Sequence, residues 1–176
     1  MVRLLYFFAY SLFFIFALLF FVPKVSLYHY AEKELQKQKL VFSNEEAIDR
    51  PFALTLRDID VSYDSIESAK VENAEIELFV FFNHISIENI ELSDMATSFL
   101  PLKIQKLDIK YSLLNPLEIL ATSRGEFGEA SATLNILERN ASVLIVPSDL
   151  MKKKYSKTLG NLKKNSQGSY EYAKTF

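Results

Sequence analysis

Apolar and polar positions change their rhythm three times along this chain. From Leu4 to Val22 there is none: LLYFFAYSLFFIFALLFFV carries no charge, and Arg3 and Lys24 bracket it. At a rise of ~1.5 Å per residue, about twenty helical residues cross the ~30 Å hydrocarbon core of a bilayer, so this run predicts a membrane-spanning helix. It ends in the bulky Phe20-Phe21-Val22-Pro23, whereas a cleavage site needs small residues. We therefore expect an uncleaved signal anchor over residues 1–24. A helical spacing comes next, with Leu27, Tyr30, Ala31 and Leu35 three and four residues apart. It predicts a juxtamembrane helix over 25–42. Ser43 to Pro51 is polar, ends in proline and predicts a loop.

From Leu54 the period becomes two, with a fault in it. The chain reads LTLRDIDVS from Leu54, AKVENAEIE from Ala69, ISIENIELS from Ile85 and LKIQKLDIK from Leu102, starts that are 15, 16 and 17 residues apart. A repeat at short, nearly constant period is the mark of a stacked or meandering β architecture. In each unit the apolar residues fall at positions one, three, six and eight. Strand side chains alternate with period two, so positions six and eight would face the wrong way. One extra residue absorbed as a β-bulge returns them to the first face and bends the strand. Arg57-Asp58, Glu72-Asn73, Glu88-Asn89 and Gln105-Lys106 are the candidate bulges. Four such bends in register would curve a sheet into a trough or an open barrel.

Beyond the fourth unit, turns are expected at Asn115-Pro116, Gly125 to Gly128 and Arg139-Asn140. Between them Leu117 to Ser123, Ala130 to Leu137 and Ser142 to Val146 read as meander strands. Pro147-Ser148-Asp149 opens a short helix whose apolar side is Leu150, Met151, Tyr155, Leu159 and Leu162. Tyr170 and Tyr172 alternate in the tail and suit a last strand. The expected fold is mainly β: an N-terminal transmembrane helix followed by a curved, bulged antiparallel β-sheet domain over 43–176 with a short C-terminal helix. If that helix plugs the trough, Leu159 and Leu162 are the residues that seat it.

Composition narrows the chemistry. With no cysteine among the 176 residues, disulfides, thiolate metal sites and Cys nucleophiles are excluded. The histidines, His29 and His84, are far apart in sequence and read as surface residues. Gly125-Glu-Phe-Gly128 lacks the lysine and third glycine of a phosphate loop. Carboxylates at Asp58, Asp60, Glu72, Glu75, Glu77, Glu88 and Glu91 alternate with apolar residues, as a solvated sheet face requires. The sequon Asn140-Ala-Ser142 is a bare three-residue match and carries no weight. We expect no enzyme, no cofactor and no metal.

Charge and one aromatic run suggest contacts instead. The net charge of −2 gives no reason to expect nucleic acid. The β region is acidic, whereas Lys152, Lys153, Lys154, Lys157, Lys163 and Lys164 cluster near the C-terminus. Such a patch suits anionic headgroups or an acidic partner, or the domain's own acidic face. Leu78-Phe79-Val80-Phe81-Phe82 does not alternate. Read as a strand, it needs cover on both faces, from the core or from an acyl chain. The candidate contact residues are thus Phe79, Phe81, Phe82, Lys152, Lys153 and Lys154. Lys24, Lys33, Lys37 and Lys39 after the anchor point the domain inward by the positive-inside rule. An anchor with little before it nevertheless exports the domain behind it, and export is our expectation.

An N-terminal anchor followed by bent repeats such as LRDIDVS, IENIELS and IQKLDIK resembles type II secretion protein N and the related AsmA-like bacterial envelope proteins. The resemblance covers the anchor and roughly residues 52 to 150, and this chain is shorter than typical members. It implies an inner-membrane protein with a periplasmic β domain that assembles with a secretion or DNA-uptake apparatus or contacts lipid, and it implies no catalytic residues. The function we expect is an interaction or assembly subunit docking other envelope proteins; the alternative is a lipid-binding or lipid-transfer module holding acyl chains in a curved β trough. Apolar residues left open on the sheet would favour lipid; a helix covering them would favour the subunit.

Overall fold

In the computed structural model, residues 2–94, 101, 103–166 and 168–175 are described. Helix α1 (Val2–Phe21) is the charge-poor run, long and apolar enough to cross a membrane, and none of its residues is buried against the rest. Pro23 ends it by lacking the N–H that would continue the ladder. Helix α2 (Lys24–Gln36) comes directly after. The strands are β1 (Leu40–Ser43), β2 (Glu46–Asp49), β3 (Ala53–Tyr63), β4 (Ile66–Leu78), β5 (Phe82–Leu92), β6 (Lys103–Ser112), β7 (Asn115–Gly125), β8 (Gly128–Asn135) and β9 (Asn140–Pro147). Helices α3 (Asp149–Lys154) and α4 (Ser156–Gly160) and strands β10 (Lys163–Lys164) and β11 (Tyr170–Thr175) complete the chain.

All eleven strands join one antiparallel sheet in the order β1-β3-β4-β5-β6-β7-β8-β9-β11-β10, with β2 pairing the other half of β3. The sheet is a curved meander that does not close. The mainly β architecture, the leading apolar helix and the short helices near the C-terminus are as the residue pattern predicts. Several boundaries differ. The juxtamembrane helix stops at Gln36, because Lys39 takes a left-handed φ of 67° and Leu40–Ser43 pairs with β3. The expected loop at 43–51 contains β2, since Ala47 and Ile48 find partners in Leu56 and Thr55. The turn expected at Asn115-Pro116 sits at Leu113-Leu114. The C-terminal helix breaks at Tyr155 into α3 and α4, with Ser148 Oγ accepting from the Met151 N–H at 3.1 Å as the N-cap.

The faulted repeat is the organising device of the core. Asp58, Glu72, Asn89 and Gln105 lie at one level across β3–β6, and the pairs on either side of them keep a common register: Arg57↔Asn73↔Glu88↔Lys106 and Ile59↔Val71↔Ile90↔Ile104. Each strand carries its own extra residue, so between these four the extra residues cancel and no register shift results. A shift at this level appears only between β6 and β7, beside Gln105, because β7 has no extra residue. The expected bulges are therefore one kink running across four strands. Asp58 and Asn89 take left-handed φ angles of 55°, which Asp and Asn tolerate better than other non-glycine residues, and Asn89 Nδ2 donates to Glu72 Oε2 at 2.6 Å.

The kink restores one apolar face. Leu54, Leu56 and Ile59 of β3, Ala69, Val71 and Ala74 of β4, and Ile90 of β5 form a buried cluster, with Val61, Ile76, Ile87, Leu92, Ile104 and Leu107 packed around it. These are the positions the repeat singles out; Leu102, the first of the fourth unit, lies outside the described residues. Val25 and Tyr28 of α2 cover this cluster. A second cluster of Phe127, Met151 and Leu159 joins α3 and α4 to Ile104, Ala130 and Tyr170.

Candidate functional site: the anchor edge and the uncovered apolar face

The sheet has two ends, and α1 meets only one. A chain of aromatic rings runs from α1 to the β4–β5 hairpin: Phe20 against Phe52 at 5.9 Å between centroids, Phe52 stacked on Phe79 at 5.7 Å, and Phe79 on Phe82 at 4.6 Å. Below it Lys24 is buried, its backbone N–H donating to Asp49 Oδ2 at 3.0 Å and its ammonium 3.6 Å from Asp49 Oδ1. Tyr28 Oη donates to Glu45 at 3.0 Å. Burial, then the charge and hydrogen bond of Glu45, push that phenol well above its ordinary pKa. These contacts tie α2 and the end of α1 to β2 and the loops beside it.

Here the sequence reading of Phe79 to Phe82 is corrected. The run is not a strand with two covered faces: β4 ends at Leu78, β5 begins at Phe82, and the Phe79 N–H donates to the Phe82 carbonyl at 3.2 Å across the hairpin. A turn has no alternation to keep. Phe79 turns inward onto its ring partners, whereas Phe81 and Phe82 are exposed.

On the apolar face two cross-strand rows run from β5 to β11 and a third from β6 to β9. Ile87, Leu107, Ser123, Ala130, Ile145 and Tyr170 form the row under the helices. The next two, Ile85-Ile109-Ala121-Ala132-Val143-Tyr172 and Tyr111-Ile119-Leu134-Ala141, lie toward the anchor end. Their members belong to neither buried cluster and, apart from the exposed Tyr172, keep partial exposure. Helix α2 lies against β1, β2 and β3, and α3 against β9. The helical cover is thus split: Leu159 is seated as expected of a plug and Leu162 packs beside it, but they close the far corner and leave the middle of the face open.

The opposite face carries the charged residues, with Leu120, Leu144 and Val146 exposed among them. The alternating carboxylates pair with Arg50, Lys70, Lys103 and Lys106. His84 is held between strands rather than free at a turn, with Nδ1 3.1 Å from Glu77 and Nε2 2.9 Å from Asp108. Burial would raise the Asp108 pKa, but the hydrogen bonds of His84 and Ser86 and the charge of Lys106 outweigh it and hold the carboxyl below the ordinary range. No group of three or more metal-ligating side chains occurs among the described residues.

The six candidate contact residues are not brought together. Phe79, Phe81 and Phe82 lie at the anchor end; Lys152, Lys153 and Lys154 are exposed on α3, beside the Phe127 turn at the other end. Strands of about ten residues separate the two ends by roughly 30 Å. Lys152 pairs with Asp149 of its own helix at 3.6 Å rather than with the acidic sheet face. Two groups escape a reading from sequence: the Ile85–Tyr172 row and the exposed hairpin tips Leu113-Leu114 and Ile136-Leu137. The tips carried a signal, since turns ordinarily use Gly, Asn, Asp or Pro rather than paired aliphatics.

No family model, curated protein or solved structure matches this chain. The resemblance to type II secretion protein N and AsmA-like proteins therefore rests on the bent repeats and the anchor alone.

Proposed function

We propose that this chain is a single-span envelope protein, with its β domain on the periplasmic side of an inner membrane, that binds lipid acyl chains along its sheet. The observation that carries this reading is the apolar row through Ile85, Ile109, Ala121, Ala132 and Val143, with the row of Ile119 and Leu134 beside it, which no helix packs into a buried cluster and which lie toward the end where α1 leaves. Elongated apolar ligands are recognised by such surfaces through area rather than hydrogen bonds. Burying each further Å² of apolar surface is worth ~25 cal/mol, so an acyl chain laid along the rows gains affinity with length. No residue in this reading performs a reaction.

The test is photo-crosslinking in native membranes from Ala121 and Val143 on the apolar face, with Ser131 on the polar face as control. Lipid adducts at the first two and not at Ser131 support the proposal. Protein adducts at Ala121 and Val143, or equal yields on both faces, overturn it.

A second reading, an assembly subunit of a secretion or DNA-uptake type machine, is favoured by the open lateral edge. Strand β11 pairs with β10 only at Tyr170 and Glu171, so from Tyr172 to Thr175 it is paired with β9 on one side and has no strand on its outer side among the described residues. An extended segment of another subunit can add there by β-augmentation. Native mass spectrometry separates the two: retained lipid on a lone chain against protein subunits at fixed ratio.

A further inference from the structure

In an antiparallel meander alternate hairpins share an end, and the β4–β5, β6–β7 and β8–β9 hairpins share the end that meets α1. Their tips carry exposed apolar residues, Phe81 and Phe82, Leu113 and Leu114, Ile136 and Leu137, with Leu114 at 90% and Leu137 at 73% exposure, and the β8–β9 turn adds the exposed Glu138 and Arg139. Backbone bonds hold them in line, the Leu113 N–H to the Phe81 carbonyl at 2.9 Å and the Ile136 N–H to the Leu117 carbonyl at 2.8 Å. At ~4.8 Å between strands, the tips form a row of about 20 Å. The described turns at the opposite end differ: Asp64, Ser65 and Glu126 are polar, with Tyr63 and Ile66 exposed beside the first two, and Phe127 folds inward to 7% exposure.

We infer that this row is a second membrane contact, in which the three hairpin tips enter the interfacial layer of the bilayer that α1 crosses. The occupant is the lipid surface because the row is continuous with the anchor through the Phe20-Phe52-Phe79-Phe82 rings. Wherever α1 leaves the hydrocarbon, the tips are carried to the same level. Aliphatic pairs at turns favour neither folding nor solubility in water, and contiguous exposed apolar surface marks an interaction site. The consequence is an upright sheet. Its strands rise from the membrane, its uncovered apolar rows lie at the end nearer to it, and the lysines of α3 lie at the end away from the anchoring bilayer. The inference rests on α1 spanning the membrane and stands whether or not the apolar rows bind lipid.

The chain contains no tryptophan, so one introduced residue is a clean probe. The full chain would be reconstituted in phosphatidylcholine vesicles as L114W, L137W, Y63W at the far end, and F13W within α1. Emission and quenching by lipids brominated along the acyl chain are then read. We expect F13W to be quenched most, L114W and L137W to be blue-shifted and quenched at least threefold more than Y63W, and Y63W to emit as in water. L114W and L137W as red-shifted and unquenched as Y63W, with F13W quenched, overturns the edge contact alone. An unquenched F13W overturns the spanning helix and this inference with it. Strand circular dichroism of each variant establishes that it is folded.

Discussion

Deleting Asn89 tests the reasoning behind the core. Asn89 is the extra residue of β5, at φ 55°, and with Asp58, Glu72 and Gln105 it makes the parity change that returns the second half of each repeat to the apolar face. Without it, the chain after Glu88 slides by one. Glu91 arrives where Ile90 was buried at 8% exposure, and Leu92 turns to the polar face. Burial of one such side chain is worth ~1.5–3 kcal/mol. Ile90 is fully lost and Leu92, packed against the cluster, is partly lost, so the cost is about 2–5 kcal/mol by that scale. The alternative, holding the faces and absorbing the mismatch as new bulges against both β4 and β6, breaks two ladders. Against a total stability of ~5–15 kcal/mol for a domain, either outcome is severe. The comparison is N89G, which keeps the residue count and the left-handed backbone and removes only the hydrogen bond to Glu72, a loss of about 1 kcal/mol. Urea unfolding of the full chain in detergent, followed by the strand circular dichroism, reads both. A deletion no more costly than N89G would refute the claim that the shared kink places the apolar set. A further deletion of all four extra residues restores register between the strands but turns the second half of every repeat to the polar face, so it should cost more than the single deletion.

Two other outcomes are expected from the same structure. Leu159, at 2% exposure, seats α4 on Phe127 and Met151; L159A should lower stability by ~2–5 kcal/mol, and L159D should expose the far corner to an apolar dye, whereas unchanged stability and dye binding would show that the helices do not close it. Asp108 is held below its ordinary value of 3.8, so its contribution to stability is fully present above that value and is lost as pH falls through the lowered one; D108N should therefore destabilise at neutral pH, with the difference from the parent shrinking in acid, and a pH-independent difference would refute the ion-paired reading.

How much of this was legible beforehand depends on how local each cause is. The α1 run, the period-two alternation and the faulted repeat are properties of neighbouring residues. Alternation with a two-residue fault has one solution that keeps Leu54, Leu56, Ile59 and Val61 on a face, and the β3 core is that solution. The absence of cysteine from the sequence also excludes disulfides, thiolate metal sites and Cys nucleophiles. Other features depended on partners distant in sequence. Ala47-Ile48 reads as loop until β3 supplies a ladder, and Leu40–Ser43 reads as helix for the same reason. A kink cancels as a bulge only when all four strands carry it, which no single repeat can announce. Phe79 to Phe82 reads as a strand because its apolar density is local, whereas its role as a tip is set by where β4 and β5 turn. Only tertiary structure decided which apolar residues stay uncovered, because cover is supplied by α2, α3 and α4 from opposite ends of the chain. It also decided that the hairpin tips align with the anchor while the lysines face away: meander topology assigns ends to turns by counting strands, a global quantity that composition and periodicity do not contain.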